Sequence, residues 1–391
     1  MRPLLRISFA LAIMLIVGAA IGAAYLITRP PSAQAATPAQ WPMLGYNNQG
    51  TRANPYETRL STTSVAHLQP GWSFTAGQSI ASSPAATGSA IYIGSEDDSL
   101  YALNPATGAV LWSFHTGSFV DTSPTVVSGV VYFGSDDGNI YALNAKTGAL
   151  LWSYQTHWFM FSSPIVDGGV LYSATFGGNA LALNAQNGSL IWSFQTGASI
   201  FSTPALANGV IYVGSDDGNL YALNKTTGAL LWSFQTGGPI HGSPAVADGQ
   251  VFFGSEDGSV YSLNARNGHK IWSHQTNSAF ETGPSVVSGN VFIGSSSGNV
   301  YKFNEFTGHL TWTYQVIDPV TNAPDAINDS PAVVNGVIYI GTHDGYLYAL
   351  GVKSGTALFS TFLGVALTSP AVVNGTVYVG SADGKLYTLH L

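Results

Sequence analysis

The stretch Thr203-Pro204-Ala205 … Gly209-Val210-Ile211-Tyr212-Val213-Gly214-Ser215-Asp216-Asp217-Gly218-Asn219-Leu220-Tyr221-Ala222-Leu223-Asn224 … Thr227-Gly228-Ala229-Leu230-Leu231-Trp232-Ser233-Phe234 nearly matches itself when shifted by 40 residues in either direction. Its proline recurs as Pro84, Pro124, Pro164, Pro204, Pro244, Pro284, Pro331 and Pro370. Its tryptophan recurs as Trp72, Trp112, Trp152, Trp192, Trp232, Trp272 and Trp312, with Phe359 in the eighth place. A fixed period of this length governs the architecture and is read before any local feature.

One repeat holds four short apolar runs, near 204–207, 210–214, 219–223 and 230–235, most of them rich in the β-branched and aromatic residues that suit a pleated backbone. Asn208-Gly209, Asp217-Gly218 and Thr227-Gly228 separate them, and Asp-Gly readily adopts the positive φ angles of a tight hairpin. No apolar pattern persists at the helical period. Four antiparallel strands per repeat predict an all-β fold, an eight-bladed β-propeller of four-stranded antiparallel blades. Residues 72–391 number 320, eight times the period. The last repeat stops after its third run, Lys385-Leu386-Tyr387-Thr388-Leu389, while Pro70-Gly71-Trp72-Ser73-Phe74-Thr75 is a fourth run with no blade before it. Pairing the two closes the circle and removes an exposed sheet edge.

Composition supports a large folded body: aromatics make up 12% and charged residues only 8%, the reverse of a disordered chain. Arg2, Arg6 and Arg29 lie before residue 36, where there are no acids, so the remainder carries nine Lys and Arg against 20 Asp and Glu, a net −11. Such a surface repels phosphate backbones and argues against nucleic acid as a partner. Without cysteine there are no disulfides, thiolate metal sites or lipid-modified cysteine in this sequence.

Arg2 and Arg6 precede an apolar run from Ile7 to Ile27, followed by Ala33-Gln34-Ala35-Ala36. The run is long enough to span a bilayer, and the small residues fit a cleavage site after Ala35. Residues 1–35 are therefore expected to be a signal peptide or an N-terminal membrane anchor. Either places the propeller outside the cytoplasm, secreted or anchored, because basic residues stay inside. Residues 36–65 are expected to be a linker and a lead-in packing on the propeller, and 66–391 the propeller itself.

The spacing Ala-x-x-x-x-x-Gly-x-x-x-Trp recurs as Ala102, Gly108, Trp112; Ala142, Gly148, Trp152; Ala182, Gly188, Trp192; and Ala222, Gly228, Trp232. It resembles the tryptophan-docking motif of the pyrroloquinoline quinone (PQQ) repeat family, which includes eight-bladed quinoprotein dehydrogenases and the outer-membrane assembly lipoprotein BamB. Ser262 and Lys302 depart from the alanine, and Phe359 from the last tryptophan. The resemblance covers essentially all of 41–391 and speaks to fold more than to function. Read physically, one indole per blade buries against the next blade, and small residues let the backbones approach.

In a repeat, the informative positions are those that vary. Three residues before each proline stand Ala81, Asp121, Phe161, Phe201, His241, Glu281, Asn328 and Leu367. This position leads into the innermost strand and is expected to ring one mouth of the central channel, a default binding location. Asp121, Phe161, Phe201, His241, Glu281 and Asn328, with the adjacent Asp329, are the candidate ring; its polar members are alternatively ordinary solvated loop residues. The loop His157-Trp158-Phe159-Met160-Phe161 replaces a small polar connection, with Phe119, Phe201 and Phe280 in comparable loops. Trp158, Phe159 and Met160 are therefore candidates for a partner contact, or else for side chains that fold inward and plug the channel. A second departure, Val316 to Asp329, lengthens the interval from Pro284 to Pro331 to 47 residues. The histidines show no close metal-ligand spacing, and no metal site is expected.

What the resemblance implies for chemistry divides two ways. A PQQ-dependent dehydrogenase holds an anionic tricarboxylate quinone with Ca²⁺, an arginine, a stacking tryptophan and often a vicinal cysteine pair. Here Asp121, Glu281 and Asn328 offer oxygen ligands, but the cysteines are missing and no Lys or Arg stands at the ring. An anionic cofactor in an acidic mouth is unfavourable. The leading expectation is an exported, non-catalytic, monomeric propeller without cofactor, BamB-like, that binds a protein or cell-envelope component. The alternatives are a PQQ-dependent dehydrogenase and a surface sensor or carbohydrate-binding module.

Overall fold

The computed structural model of the protein describes residues 40–391; the signal peptide or anchor expected over 1–35 lies outside them. Eight four-stranded antiparallel sheets are present. Blade 4 is representative, with strands Ala205–Ala207, Val210–Gly214, Asn219–Asn224 and Leu230–Gln235 from inside to outside. The short first strands of neighbouring blades touch one another, so they line the centre of the ring. Gln69–Thr75 pairs with Lys385–His390 as the outer strand of blade 8, and the circle closes as the repeat count requires.

Each outer strand carries a bulge, in blade 4 between the pairs Ala222↔Trp232 and Leu223↔Leu230. A bulge twists an edge away from further pairing, which blunts eight otherwise open edges. The indoles tie blades together. Trp112 Nε1 donates to the Ala145 carbonyl at 3.1 Å, Trp152 to Ala185 at 2.9 Å and Trp272 to Glu305 at 2.8 Å, each in the next blade. A Cβ on Gly148 would sit 2.8 Å from the Trp112 ring, so glycine is required where the indole docks.

The lead-in has a path that repetition alone does not reveal. Trp41 exchanges backbone hydrogen bonds with Ala86 of blade 1, and the Pro42 carbonyl accepts from Val126 N–H of blade 2 at 2.8 Å. Asn48 reaches the Val166 carbonyl of blade 3 with its amide at 3.0 Å and accepts from Leu206 N–H of blade 4 at 2.6 Å. Gln49, Thr51 and Arg52 carbonyls then accept from Val246, Val286 and Val333 of blades 5, 6 and 7, and the Asn54 amide donates to the Val372 carbonyl of blade 8 at 3.0 Å. Residues 41–54 thus visit the free inner edge of every blade in order and satisfy main-chain groups that would otherwise lack partners. This segment, rather than the 157–161 loop, occupies the interior of the ring. Leu60, Val65 and Leu68 then bury in the core shared by blades 7 and 8 before the closing strand begins.

A second belt lies one step along. Backbone N–H of Ser83, Ser123, Ser163 and Thr203 each donates to the hydroxyl of the corresponding residue in the next blade at 2.9–3.1 Å. Gly283 and Ser330 continue it toward Ser330 and Ser369. The belt is interrupted where Gly283 offers Ser243 no hydroxyl, and there the Arg52 guanidinium enters, donating to the carbonyls of Pro284 at 3.0 Å and Gly50 at 2.7 Å. Burial lowers the Arg52 pKa to about 10, since no carboxylate accompanies it.

Candidate functional site

Two sets of variable positions meet on one face. The first is the set three residues before each proline. The second is the residue preceding the Asp-Gly-type turn between the second and third strands: Glu96, Asp136, Phe176, Asp216, Glu256, Ser296, His343 and Ala382. Backbone N–H of each of these turn residues donates to a carbonyl of the adjoining interblade loop, for example Asp136 to Phe119, Phe176 to Phe159 and Asp216 to Ser199. The two sets are therefore held side by side as one rim.

Around that rim the chemistry changes in sectors. Blades 1 and 2 bring Glu96, Asp121 and Asp136 together. Burial, reinforced by its two acidic neighbours, raises Asp121 to about 7; burial raises Asp136 to about 6, opposed by the Met160 backbone. Asp121 Oδ1 and Asp136 Oδ1 are buried and accept no hydrogen bond from the described residues.

Blades 3 and 4 are aromatic. Phe161 stacks on Phe201 with centroids 5.2 Å apart, and Phe176 meets both edge-on at 5.9 and 5.6 Å. Phe159 adjoins Phe176 at 6.3 Å. Trp158 and Phe159 are about half exposed, 49% and 55%. Their loop is nevertheless anchored, with the Phe159 carbonyl accepting from Phe176 and the Trp158 carbonyl from the Thr156 hydroxyl.

The sequence builds this sector by a set of coordinated departures. In blades 1, 2, 4 and 5 a turn aspartate accepts from a glycine N–H of the incoming loop and from a tyrosine hydroxyl four residues on, as Asp137 does from Gly117 at 2.8 Å and Tyr141 at 2.7 Å. Blade 3 has Gly177 for the aspartate, Leu181 for the tyrosine and His157, at φ 67°, for the glycine. The Trp158 indole lies against Gly177 instead.

Blades 4 and 5 restore charge. His241 Nε2 lies 2.8 Å from Asp216 Oδ1 and Nδ1 2.7 Å from Glu256 Oε1, while Phe201 meets the imidazole edge-on at 4.9 Å. Burial pushes Asp216 up and the adjacent imidazole opposes the rise. Beyond this sector Glu281 and Asn328 are exposed to solvent.

The geometry corrects several expectations. Met160 is completely buried and offers no surface to a partner. It stands four residues before its proline, the place of Ile80, Val120, Ile200, Ile240 and Phe280, all fully buried. Its Cβ packs against Gly134, where a glycine Cβ would lie 2.7 Å away. Phe280 is likewise core, and Leu367, 2% exposed, packs against Gly341 rather than forming part of a polar rim. Asp329 lies one step inside the ring, in the place where Thr122 and Ser202 bond the following strand, and accepts from the Ser369 hydroxyl at 3.1 Å. Burial raises it to about 7. The long segment after Val316 packs on the turns between the second and third strands of blades 6 and 7, where Ile327 N–H donates to the Ser295 carbonyl and His343 N–H to the Ala326 carbonyl; its Asp318 carboxylate caps Val320 N–H and its Ile317 carbonyl accepts from Tyr348.

Among the described residues no cluster of three or more His, Asp or Glu side chains is arranged to hold a metal ion, and no helix is long and apolar enough to cross a membrane.

Comparison with known proteins follows the architecture. Among solved structures, BamB from Moraxella catarrhalis superposes with a TM-score of 0.73 at 21% identity, covering 83% of this chain and all of that one. A europium-containing methanol dehydrogenase gives 0.78 at 14% identity, covering 91% and 98%, and the computationally designed Ika8 protein 0.72 at 18%, covering 81% and 98%. At such identities the likeness speaks for the fold alone. No curated protein matches the sequence. Residues 63–200 and 191–391 match the family described as outer membrane protein assembly factor BamB, and the chain belongs to that family.

Proposed function

We propose that this is an exported, non-catalytic, monomeric propeller that grips a protein partner of the cell envelope with the rim of blades 1 to 5. The observation that carries this reading is the anchored aromatic sector: Trp158 and Phe159 are about half exposed on a hydrogen-bonded loop. Large rigid aromatics exposed at low conformational cost are the residues that dominate protein interfaces. Export rests on Arg2, Arg6 and the apolar run from Ile7 to Ile27. Membership of a family described by its assembly role agrees with a scaffold.

A PQQ-dependent dehydrogenase is the second reading, favoured by the quinoprotein neighbours. The residues present do not fit the cofactor. A tricarboxylate would face Glu96, Asp121, Asp136, Asp216 and Glu256, with no Lys or Arg at either set of rim positions to receive it. Arg52 is committed to backbone carbonyls inside the ring.

The test is affinity capture from envelope extracts of the native host with wild-type protein and with Trp158→Ala/Phe159→Ala. Loss of the recovered partner in the double variant is expected; unchanged recovery rejects this surface. Dye-linked oxidation of alcohols or sugars after addition of PQQ and Ca²⁺ would, if saturable, replace the scaffold reading with the enzymatic one.

A further inference from the structure

The partner reading leaves open what the rim recognises, and the sectors carry that question further. Going round the rim, the phenylalanine floor of blades 3 and 4 has carboxylates on both sides: Asp121 and Asp136 before it, Asp216 and Glu256 after it. No Lys or Arg occupies any of the variable positions of either set.

We propose that this arc docks a polypeptide segment of the partner in which basic residues flank an apolar side chain. The inference rests on the partner-binding reading and deepens it. The apolar side chain would cover Phe161, Phe176 and Phe201, whose faces attract both apolar groups and cations. The flanking cations would meet the carboxylates.

The two flanks are unequal. His241 already stands between Asp216 and Glu256 at ion-pair distance from both. Asp121 and Asp136 have no basic side chain at ion-pair distance among the described residues. An arriving ammonium or guanidinium meets no resident basic group on this flank, whereas between Asp216 and Glu256 it must compete with the imidazole. The stronger cation subsite is therefore the flank formed by blades 1 and 2. Phosphate-bearing surfaces, whether lipid headgroups or nucleic acid, are repelled by the same carboxylates.

Three labelled peptides of equal length test this by fluorescence anisotropy on the whole propeller. One carries Lys-Lys-Phe-Leu-Lys-Lys between Gly-Ser arms, the second replaces every lysine by glutamate, and the third replaces Phe-Leu by Ser-Ser. The first is expected to bind at least ~10-fold more tightly than either of the others, and more weakly as salt is raised. Asp121→Asn with Asp136→Asn, which keeps side-chain shape, should weaken it ~5- to 10-fold, and Phe201→Ala should do likewise. Asp248→Asn, on the opposite face, should leave it unchanged.

Equal binding of the glutamate or serine peptide overturns the proposal. So does equal weakening by Asp248→Asn, or displacement of the lysine peptide by a neutral oligosaccharide. If Trp158→Ala/Phe159→Ala abolishes capture of the native partner while Asp121→Asn/Asp136→Asn leaves it intact, the partner reading stands and this inference falls. If neither pair of variants alters capture, both fall.

Discussion

The Trp158 indole packs so closely on Gly177 that a Cβ at position 177 would sit 2.4 Å from Cδ2 and 2.5 Å from Cε2. The missing side chain and the added indole are one structural unit, because the aspartate found at this place in other blades would occupy the space of the ring. Gly177→Asp should therefore expel Trp158 from its seat. The expected result is a change in tryptophan emission and reduced partner capture, with a stability loss of about 1–2 kcal/mol. Emission and capture both unchanged would show that the indole is not held by the glycine.

Arg52 and Gly283 form a comparable unit inside the ring. A Cβ on Gly283 would lie 2.3 Å from an Arg52 guanidinium nitrogen. Gly283→Ser offers Ser243 the hydroxyl that every other step of the described belt uses, but it collides with the guanidinium. Arg52→Ala, which leaves buried carbonyls without their donor, should cost about 2–4 kcal/mol. Gly283→Ser should be clearly destabilising alone and far less so in the Arg52→Ala background. The check is a double-mutant cycle by chemical denaturation; additive effects would separate the two residues.

The architecture was legible because each strand and turn is written eight times over and the docking tryptophan seven, with Phe359 in the remaining place. The first half of the rim was legible for the same reason, since Asp121, Phe161, Phe201 and His241 interrupt an otherwise constant approach to the proline. The second half was hidden: Glu96, Asp136, Phe176, Asp216 and Glu256 sit in the tight turns between second and third strands, where turn chemistry accounts for the neighbouring residues without any role at a surface. Comparing that one column across the repeats would have shown it. Met160 looks like part of an aromatic loop because its neighbours along the chain are Phe159 and Phe161. Read with Ile200 and Ile240, 40 and 80 residues on, it is a core position. The path of residues 41–54 has no such column to consult. It is set by the free inner edges of eight strands that exist only after the blades assemble.

The opposite face carries a pH-dependent contact. Glu305, 1% exposed, is raised to about 7 by burial first and by Asp248 second, from an ordinary value of 4.5. Below the ordinary value both folded and unfolded chains hold the proton, and the contribution to stability is complete. As pH rises from there toward 7 the unfolded chain gives up its proton while the folded protein keeps it, so stability falls. Above 7 the folded protein must carry a buried carboxylate beside Asp248. Glu305→Gln should therefore raise stability at neutral pH by about 1–3 kcal/mol and flatten its decline across this window. Thermal unfolding followed from acid to neutral pH decides it; parallel curves for the two proteins would place the dependence elsewhere.

Closure of the ring yields the last prediction. Gln69–Thr75 supplies the outer strand of blade 8, the Trp72 carbonyl accepts from the Thr388 hydroxyl at 2.6 Å, and the Trp72 indole donates to the Pro105 carbonyl of blade 1 at 3.0 Å. One strand thus joins the final blade to the first. Removing residues 66–76 exposes the edge of Lys385–His390 and leaves blade 1 without its docked indole. The loss should lower the melting temperature of the entire propeller in a single transition, because each blade packs on its neighbours around a closed ring. A synthetic peptide spanning 66–76, added to the truncated protein, should restore part of that stability in proportion to its concentration. The same peptide with Trp72→Ala should restore less, since it pairs with blade 8 but cannot dock on blade 1. A truncated protein that melts like the full chain would mean that the circle is held shut by the inner strands and residues 41–54 without the closing strand.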